Sequence, residues 1–583
     1  MTSITSRGAR TRAACLLAAW AISMSACGTP PSSVPSSSGP GPAAPTGTRK
    51  AITIAATASV KGMGIMGSST GAGGWASIIE INTNGLITSD AHAHEPAGQL
   101  AASVPSIDDG SIQLLNDGRM RVTYHLRPGI TWQDGAPFTA GDLVFSGKVL
   151  TDRGLPNNYA YAAKLIDAFD APDDLTFNLT FKRPYINGAA LGFTQFWPQP
   201  EHLLGDAYQR YLQTQDADEF SELPYWTTAY VHLGPFRLTS YEAGQQLDFE
   251  AYDGYFLGRP KLDVIHVRFF ADENALFTNL LAGSVDIMVS QAISTQLGFQ
   301  LKDRWDSSGE GTVYTVLTGT RFLVPQFRPS VQTEPANLDP RVRGALYQAI
   351  DRDSVSEREG PAWSLLPPSD HLYEATRDGF RRYPYDPDRA KAILRDLGWI
   401  TGNDGVLHNV ADGRVYHNAI WTTVGARDWE MAIYADYWRR IGLEVEEFKI
   451  PGAQVRNLEY RAHYPSWEAS SAGSGDQVLG RLEGPAGSPE NRWTGNRGGY
   501  EDARAEELVA RYNTSISPRD QLEAMHALSE FVAAELPILP IYFGASHLAV
   551  RKGVHALDDV DGGADPAMPY GTYTRNAYLW DLQ

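Results

Sequence analysis

Three short stretches hold residue types that could do chemistry. The first is DAHAHEP (90–96), where His92, His94 and Glu95 offer imidazole and carboxylate groups suited to Zn2+ or Ni2+. Alternate residues share a face only on an ordered extended strand, and no third strong ligand is close in sequence. The stretch therefore reads as a solvated loop, with His92 and His94 as weak metal candidates and no resident metal expected. The second, GMGIMG (62–67), fits G-x-G-x-x-G behind a strand. A dinucleotide fingerprint also needs a helix that opens at once and an acid about 20 residues on. Here more glycine follows, up to Gly74, so a flexible loop is expected and no nucleotide. The third is Ser25-Ala26-Cys27, small residues directly before a thiol. The sequence has no H-E-x-x-H and no catalytic-cysteine signature, which points to binding without turnover and to no cofactor.

The residues around Cys27 say what that thiol is for. Arg7, Arg10 and Arg12 form a basic start without an acid, and Ala13 to Ala26 is apolar or small. Residues 1–26 thus read as a secretory signal, too short for a stable membrane span. Small residues before Cys27 make it a bacterial lipoprotein signal, with Met24 where leucine is usual. Cys15 leaves with the signal, and the lipidated Cys27 heads the mature chain. Residues 27–49 continue as Gly, Pro, Ser, Thr and Ala, a disordered tether whose coil spans roughly 25 Å. Loss of the three arginines takes the formal charge from −19 to −22. So acidic an exported chain is a poor partner for nucleic acid or an anionic membrane surface. The expected location is extracytoplasmic, lipid-anchored to the bacterial cell membrane.

After residue 50 the elements alternate. KAITIAAT (50–57) is a strand, and Trp75–Asn84 a helix that Gly85 ends. Thr139-Ala140-Gly141-Asp142 is a capping-box pattern. Asp339-Pro340, Asp386-Pro387 and Ser517-Pro518 each put an N-cap before an N1 proline, with apolar stripes behind. Asp272–Leu281 is a helix closed by Gly283, and SVDIMV (284–289) and ILPIYF (538–543) are strands. The fold class is α/β, with sheets covered by helices.

Six of these segments, in order, resemble the large extracytoplasmic solute-binding proteins of the peptide/nickel/opine group that serve ABC importers. They are LRPGITWQDGAPFTAGDLVFS (126–146), LGPFRLTSYEAGQQLDFEAYDGYFLGRPKLDVIHVRFFAD (233–272), LLAGSVDIM (280–288), DPRVRGALYQAIDRDSV (339–355), YDPDRAKAILRDLGW (385–399) and ELPILPIYF (535–543). Within the first, Trp132, Asp134 and Asp142 read as fold determinants. The resemblance implies a two-lobed, periplasmic-binding-protein-like fold. Lobe I comes from 50–85, 232–318 and 541–583, an extra domain from 86–231, and lobe II from 319–540. Arg321 and Tyr542 stand at the two chain crossings that form the hinge. The implied function is capture of a peptide or peptide-like solute by a monomer, with delivery to ABC permease subunits. Glycosides, metal (nickel) chelates or a sensing role are the alternatives, and the chain is not expected to be an enzyme.

Dipeptide binders in this group hold the ligand's amino terminus with an Asp in a Gly-Asp-Pro context after Gly-Trp. Here SWEASSAGSGDQVLG (466–480) keeps Asp476 but has Gln477 for the proline. The strand that carries their carboxylate-binding Arg corresponds to HNAIWTT (417–423), which offers Trp421. Both halves of that clamp are altered, against a strict dipeptide specialist. The ligand-binding candidates are therefore aromatic and polar: Trp421, Arg461, Trp467, Asp476, Trp493, Asn496, Arg497 and Tyr500, the last four in the glycine-rich stretch NRWTGNRGGY (491–500).

Overall fold

A computed structural model describes residues 49–583 apart from 58, 61, 68–73, 90–94, 157–160, 357–359, 369, 371, 424–428, 456, 473–477, 492, 494 and 558–570. The leader, Cys27 and most of the tether lie outside the described residues, as do His92, His94 and Asp476.

The helix starts are where their caps stand. Thr139 and Asp142 close a capping box on the helix Ala140–Thr151. Asp339, Asp386 and Ser517 each accept a hydrogen bond from a first-turn N–H, ahead of Pro340, Pro387 and Pro518. Asp272 caps the helix Glu273–Ala282, with Gly283 at its end. Two local expectations change. The helix from Trp75 stops at Glu80. Beyond it the chain is held from outside, Asn82 and Asn84 donating to the carbonyls of Phe236 and Leu233 at 2.8 and 2.9 Å. Gly85 is thus no helix cap: a Cβ there would lie 2.4 Å from the Phe193 nitrogen, and close approach is what requires glycine. Nor is GMGIMG a flexible loop, since Gly64–Gly67 forms one helical turn and Met63 and Ile65 are buried.

Ten strands make one sheet: β1 (Ala51–Ala56), β2 (Phe236–Glu242), β3 (Gln246–Ala251), β4 (Val264–Phe269), β5 (Ile287–Met288), β6 (Gly311–Pro325), β7 (His417–Thr423), β8 (Glu444–Ile450), β9 (Trp467–Ala472) and β10 (Leu539–Arg551). Their order is β8-β7-β9-β6-β10-β5-β1-β4-β3-β2. β1 runs parallel to β4 and β5, and β7 parallel to β8 and β9. These two parallel blocks are joined through the long antiparallel pair β6–β10, of 15 and 13 residues. The pairing slips between Leu317 and Thr320 and again between Arg321 and Phe322. Gly319, at the first slip, has φ +78°, a conformation a residue with a Cβ adopts only under strain.

Three apolar cores hang on this frame. One contains Ile54, Ile265, Trp305 and Trp580, a second Leu346, Trp438, Trp467 and Leu528, and a third Tyr124, Trp132 and Phe177. The third is built with a four-stranded antiparallel sheet from residues within 112–181. Its neighbouring helix Ala140–Thr151 also sends Phe145 and Val149 into the first core, so the two are packed as one mass. The Trp132 indole N–H donates to Asp142 at 3.4 Å, and the same carboxylate receives the N–H groups of Thr139 and Glu201. That block is scaffold.

Candidate functional site

Strand register decides which candidate residues meet. Trp421 on β7 stands opposite Phe448 of β8 and Glu468 of β9, and Glu468 stands opposite Val324 of β6. Registered partners share a face, so Phe448, Trp421, Glu468 and Val324 form a row across four strands. Ser470 and Phe322 make the next step on that face. Trp421 is partly exposed, its ring 4.5 Å from Phe448 and 5.5 Å from Tyr460.

Glu468, in the middle of the row, is 1% exposed. A carboxylate so placed needs charged partners. Arg461 donates to it at 2.7 Å, and Arg497 reaches both oxygens at 2.9 Å. Arg461 projects from the short helix Leu458–Ala462, capped by Asn457. Arg328 holds the surrounding segments together, donating to the carbonyls of Ala462, Gly487 and Arg497. A third cation, Arg481, lies with its guanidinium carbon 6.0 Å from the Phe322 ring centre. Burial pushes the Glu468 carboxyl up, but Arg497, Arg461 and Arg481 outweigh it and hold the group at about 2. Burial, and then the charge of Arg497, push the Arg481 guanidinium down to about 10. Three cations thus share one anion. Arg461 Nε, Arg481 Nη1 and Arg497 Nε are buried without a hydrogen-bond partner among the described residues.

The other candidates do not join this face. Trp467, one residue before Glu468, points the opposite way by strand alternation. It is fully enclosed, 5.2 Å from Trp438, and its indole N–H donates to Asn418 at 3.2 Å. The residue packs in the second core. Asn496 and Tyr500 are also turned inward. Asn496 is buried and staples its own loop, accepting from Tyr500 N at 3.0 Å and donating to Tyr500 O. The Tyr500 ring is seated against Phe327 at 4.7 Å within the second core. Trp493 remains partly exposed, 5.0 Å from His463, with the left-handed backbone angle φ 58°. Glu468 and Arg481 are the residues sequence reasoning missed. An acid embedded between small and apolar strand residues in WEASSA was the available signal for the first; Arg481 gave none.

Where the long strands cross, Arg321 of β6 and Tyr542 of β10 are register partners, and both bond Glu430 at the start of the helix Trp429–Arg440. A seam between the third core and the second lies near the arginine cluster. Arg183 pairs with Glu483 at 3.2 Å, and Ile186 N donates to Asn513 O at 2.9 Å. Among the described residues no group of three or more His, Cys, Asp or Glu could hold a metal ion, and no helix is long and apolar enough to cross a membrane.

Residues 95–488, more than half of the chain, match the family model described as bacterial extracellular solute-binding proteins, family 5 Middle. The chain belongs to that family. Among the curated relatives of this family 5 chain is the oligopeptide-binding protein AppA of Bacillus subtilis, 23% identical over 75% of this chain and 78% of the relative. Its fold is that of the oligopeptide binding protein from Thermus thermophilus, solved with a pentapeptide: TM-score 0.71, 20% identity, 91% of this chain and 96% of that one covered. NikZ from Campylobacter jejuni, solved with Ni(L-His), gives TM-score 0.70 at 17% identity over 92% of this chain and 100% of that one. The family 5 chain therefore has the two-lobed α/β architecture of these binding proteins and is a solute-binding protein of the extracytoplasmic kind.

Proposed function

We propose that this chain is the membrane-tethered solute-binding component of an ABC importer. It takes a peptide or peptide-like solute into the cleft between its lobes and hands it to permease subunits without chemical change. The observation that supports a peptide-like ligand is the pairing, on one sheet face, of a partly exposed aromatic ring at Trp421 with the arginines around Glu468. An aromatic platform beside a few fixed polar groups is what holds and orients such a molecule. AppA and the Thermus protein, an oligopeptide binder by name and a pentapeptide complex, favour the same class. A nickel chelate is the second reading, favoured by the likeness to NikZ with Ni(L-His). The hinge is assigned to the slips in β6–β10, and the anchor to acylation of Cys27.

The test has two arms. A thermal-shift screen of dipeptides, longer peptides, oligosaccharides and nickel–histidine should give its strongest stabilisation with peptides; a ligand at 100 times its Kd adds about 2.7 kcal/mol. The best hit should also shrink the radius of gyration in small-angle scattering. Shifts with sugars alone, or an unchanged radius at saturation, would sink this reading. Cys27→Ala should move the protein out of the membrane fraction, and a mutant that still sediments at wild-type level removes the anchor.

A further inference from the structure

We infer that residues 571–583 form a strap over the first core, and that Glu80, in its neutral carboxylic acid form, is a pH-sensitive latch that holds it. The inference does not depend on which solute the chain takes, and its test is read without one.

The strap is packed into the first core through Tyr573, Ala577 and Trp580, all buried there. An ion pair and a strand pair fix its far end: Asp581 accepts from Lys50 Nζ at 2.5 Å, and Asp581–Leu582 runs antiparallel to Val554–His555. The near end rests on Glu80, the last residue of the helix Trp75–Glu80 and 1% exposed. Thr572 N donates to its Oε2 at 2.7 Å, and the hydroxyls of Thr572 and Thr574 at 2.5 and 3.3 Å. Among the described residues, every hydrogen bond to this carboxyl ends on that one oxygen. The other, Oε1, borders the spot where a Cβ on Gly571 would stand, 2.8 Å from Oε1 and 3.0 Å from Thr88 Oγ1. Thr88 Oγ1 is buried and has no partner among the described residues. A carboxylic acid fits this arrangement: its bare oxygen takes the threonine donors, and its O–H brings a donor to Thr88.

Charge supports the same form. Burial pushes the Glu80 carboxyl up to about 7, and the Thr572 bonds and the Arg575 charge do not offset it. Arg575 gives Nε and Nη1 to the carbonyls of Ser89 and Thr572 at 3.0 and 3.1 Å. The phenols of Tyr255 and Tyr573 also feel Glu80; burial pushes both above their ordinary value, so neither ionises with it. The stretches 90–94 and 558–570, outside the described residues, hold acids and histidines. An acid from either would push Glu80 further up and an imidazolium would pull it back, so the test reads Glu80 by difference. Freed with the strap, the carboxyl returns toward 4.5. Docking is therefore at full strength below pH 4.5 and weakens from there until the pH has passed 7, by on the order of 300-fold in all. The chain belongs to an extracytoplasmic family, so the surrounding pH acts on this latch directly.

Hydrogen exchange of the full chain tests this, read by mass spectrometry on peptides within 571–583 from about pH 5 to pH 8 and corrected for the intrinsic pH dependence of exchange. Wild-type protection of the strap should fall on the order of 70-fold across that range. Peptides of the helix Pro518–Glu535, in the second core, should keep theirs. Glu80→Gln, which mimics the neutral acid, should hold the protection that wild type has at the acid end throughout. Glu80→Ala, which loses the bonds to Thr572 and Thr574, should leave the strap loose at every pH. His555, register partner of Asp581 at the far end, is common to all three proteins and drops out of the comparison. A flat wild-type profile, protection that rises with pH, or a fall that Glu80→Gln leaves unchanged would each overturn the latch. The first two are read on wild type alone, so they decide even where a variant fails to fold.

Discussion

Arg321 and Tyr542 face each other across β6 and β10, and both close on one carboxylate: Glu430 accepts from Arg321 at 2.8 and 3.0 Å and from Tyr542 Oη at 2.5 Å. The pair lies between the register slips, so the two long strands are tied at this point to the helix Trp429–Arg440. Burial works against the Arg321 charge, and the Glu430 carboxylate more than offsets it. Glu430→Gln leaves that cation short of its counter-charge, and the expected cost is about 3 kcal/mol. Tyr542→Phe deletes one hydrogen bond and should cost about 1 kcal/mol. Urea unfolding checks both; a Glu430→Gln midpoint equal to wild type would show that the tie does not hold the crossing.

Glu468 makes the stability pH-dependent with a definite sign. Its folded pKa of about 2 lies below the ordinary value of 4.5. Its contribution is therefore complete above pH 4.5 and is lost as pH falls toward 2. The shift corresponds to roughly 3 kcal/mol. Glu468→Gln removes the contribution at every pH and leaves three arginines facing one another. The mutant should unfold far below wild type at pH 7 and close to it at pH 2.5. A constant difference across that range would mean that the carboxylate charge is not what the arginines are held by.

Trp421 and Trp467 should part company under substitution. Trp467→Ala opens a cavity beside Trp438 and strands Asn418, at a cost of about 3–5 kcal/mol with little to say about ligand. Trp421→Ala removes a partly exposed ring and should leave the melt within a few degrees while weakening the best peptide hit. A Trp421→Ala protein with wild-type affinity would move the solute off this face of the sheet.

That contrast marks what the sequence could and could not tell. Local chemistry was legible: caps at Asp339, Asp386 and Ser517 and the glycine after Ala282 act within a few residues, so composition alone locates them. Trp421 and Trp467 look alike because each sits in a short apolar strand. Only the pairing of Trp421 with Glu468 shows that their faces differ. Gly85 misled for the same reason, its demand coming from Phe193, more than a hundred residues away. Arg481 was invisible because its meaning lies in what it lacks: a partner can be missed only once its neighbours are placed.

The seam offers the last test. Arg183 and Glu483 come from different cores, and Asn513 joins them, its amide 3.4 Å from Glu483 and its carbonyl receiving Ile186 N. In the proposed hinge motion such contacts would be made in one relative arrangement of the lobes and broken in the other, and so would bias the open–closed balance while leaving each lobe intact. The side chains are 34% and 22% exposed, so the pair is worth at most about 1 kcal/mol. Arg183→Ala should accordingly leave the ligand-free melt nearly unchanged. It should enlarge the ligand-free radius of gyration and weaken a confirmed ligand by up to about fivefold through the closure step. Raising the salt should reproduce part of the effect in wild type and little in the mutant. If Arg183→Ala neither changes the scattering profile nor alters affinity, the seam carries no share of closure.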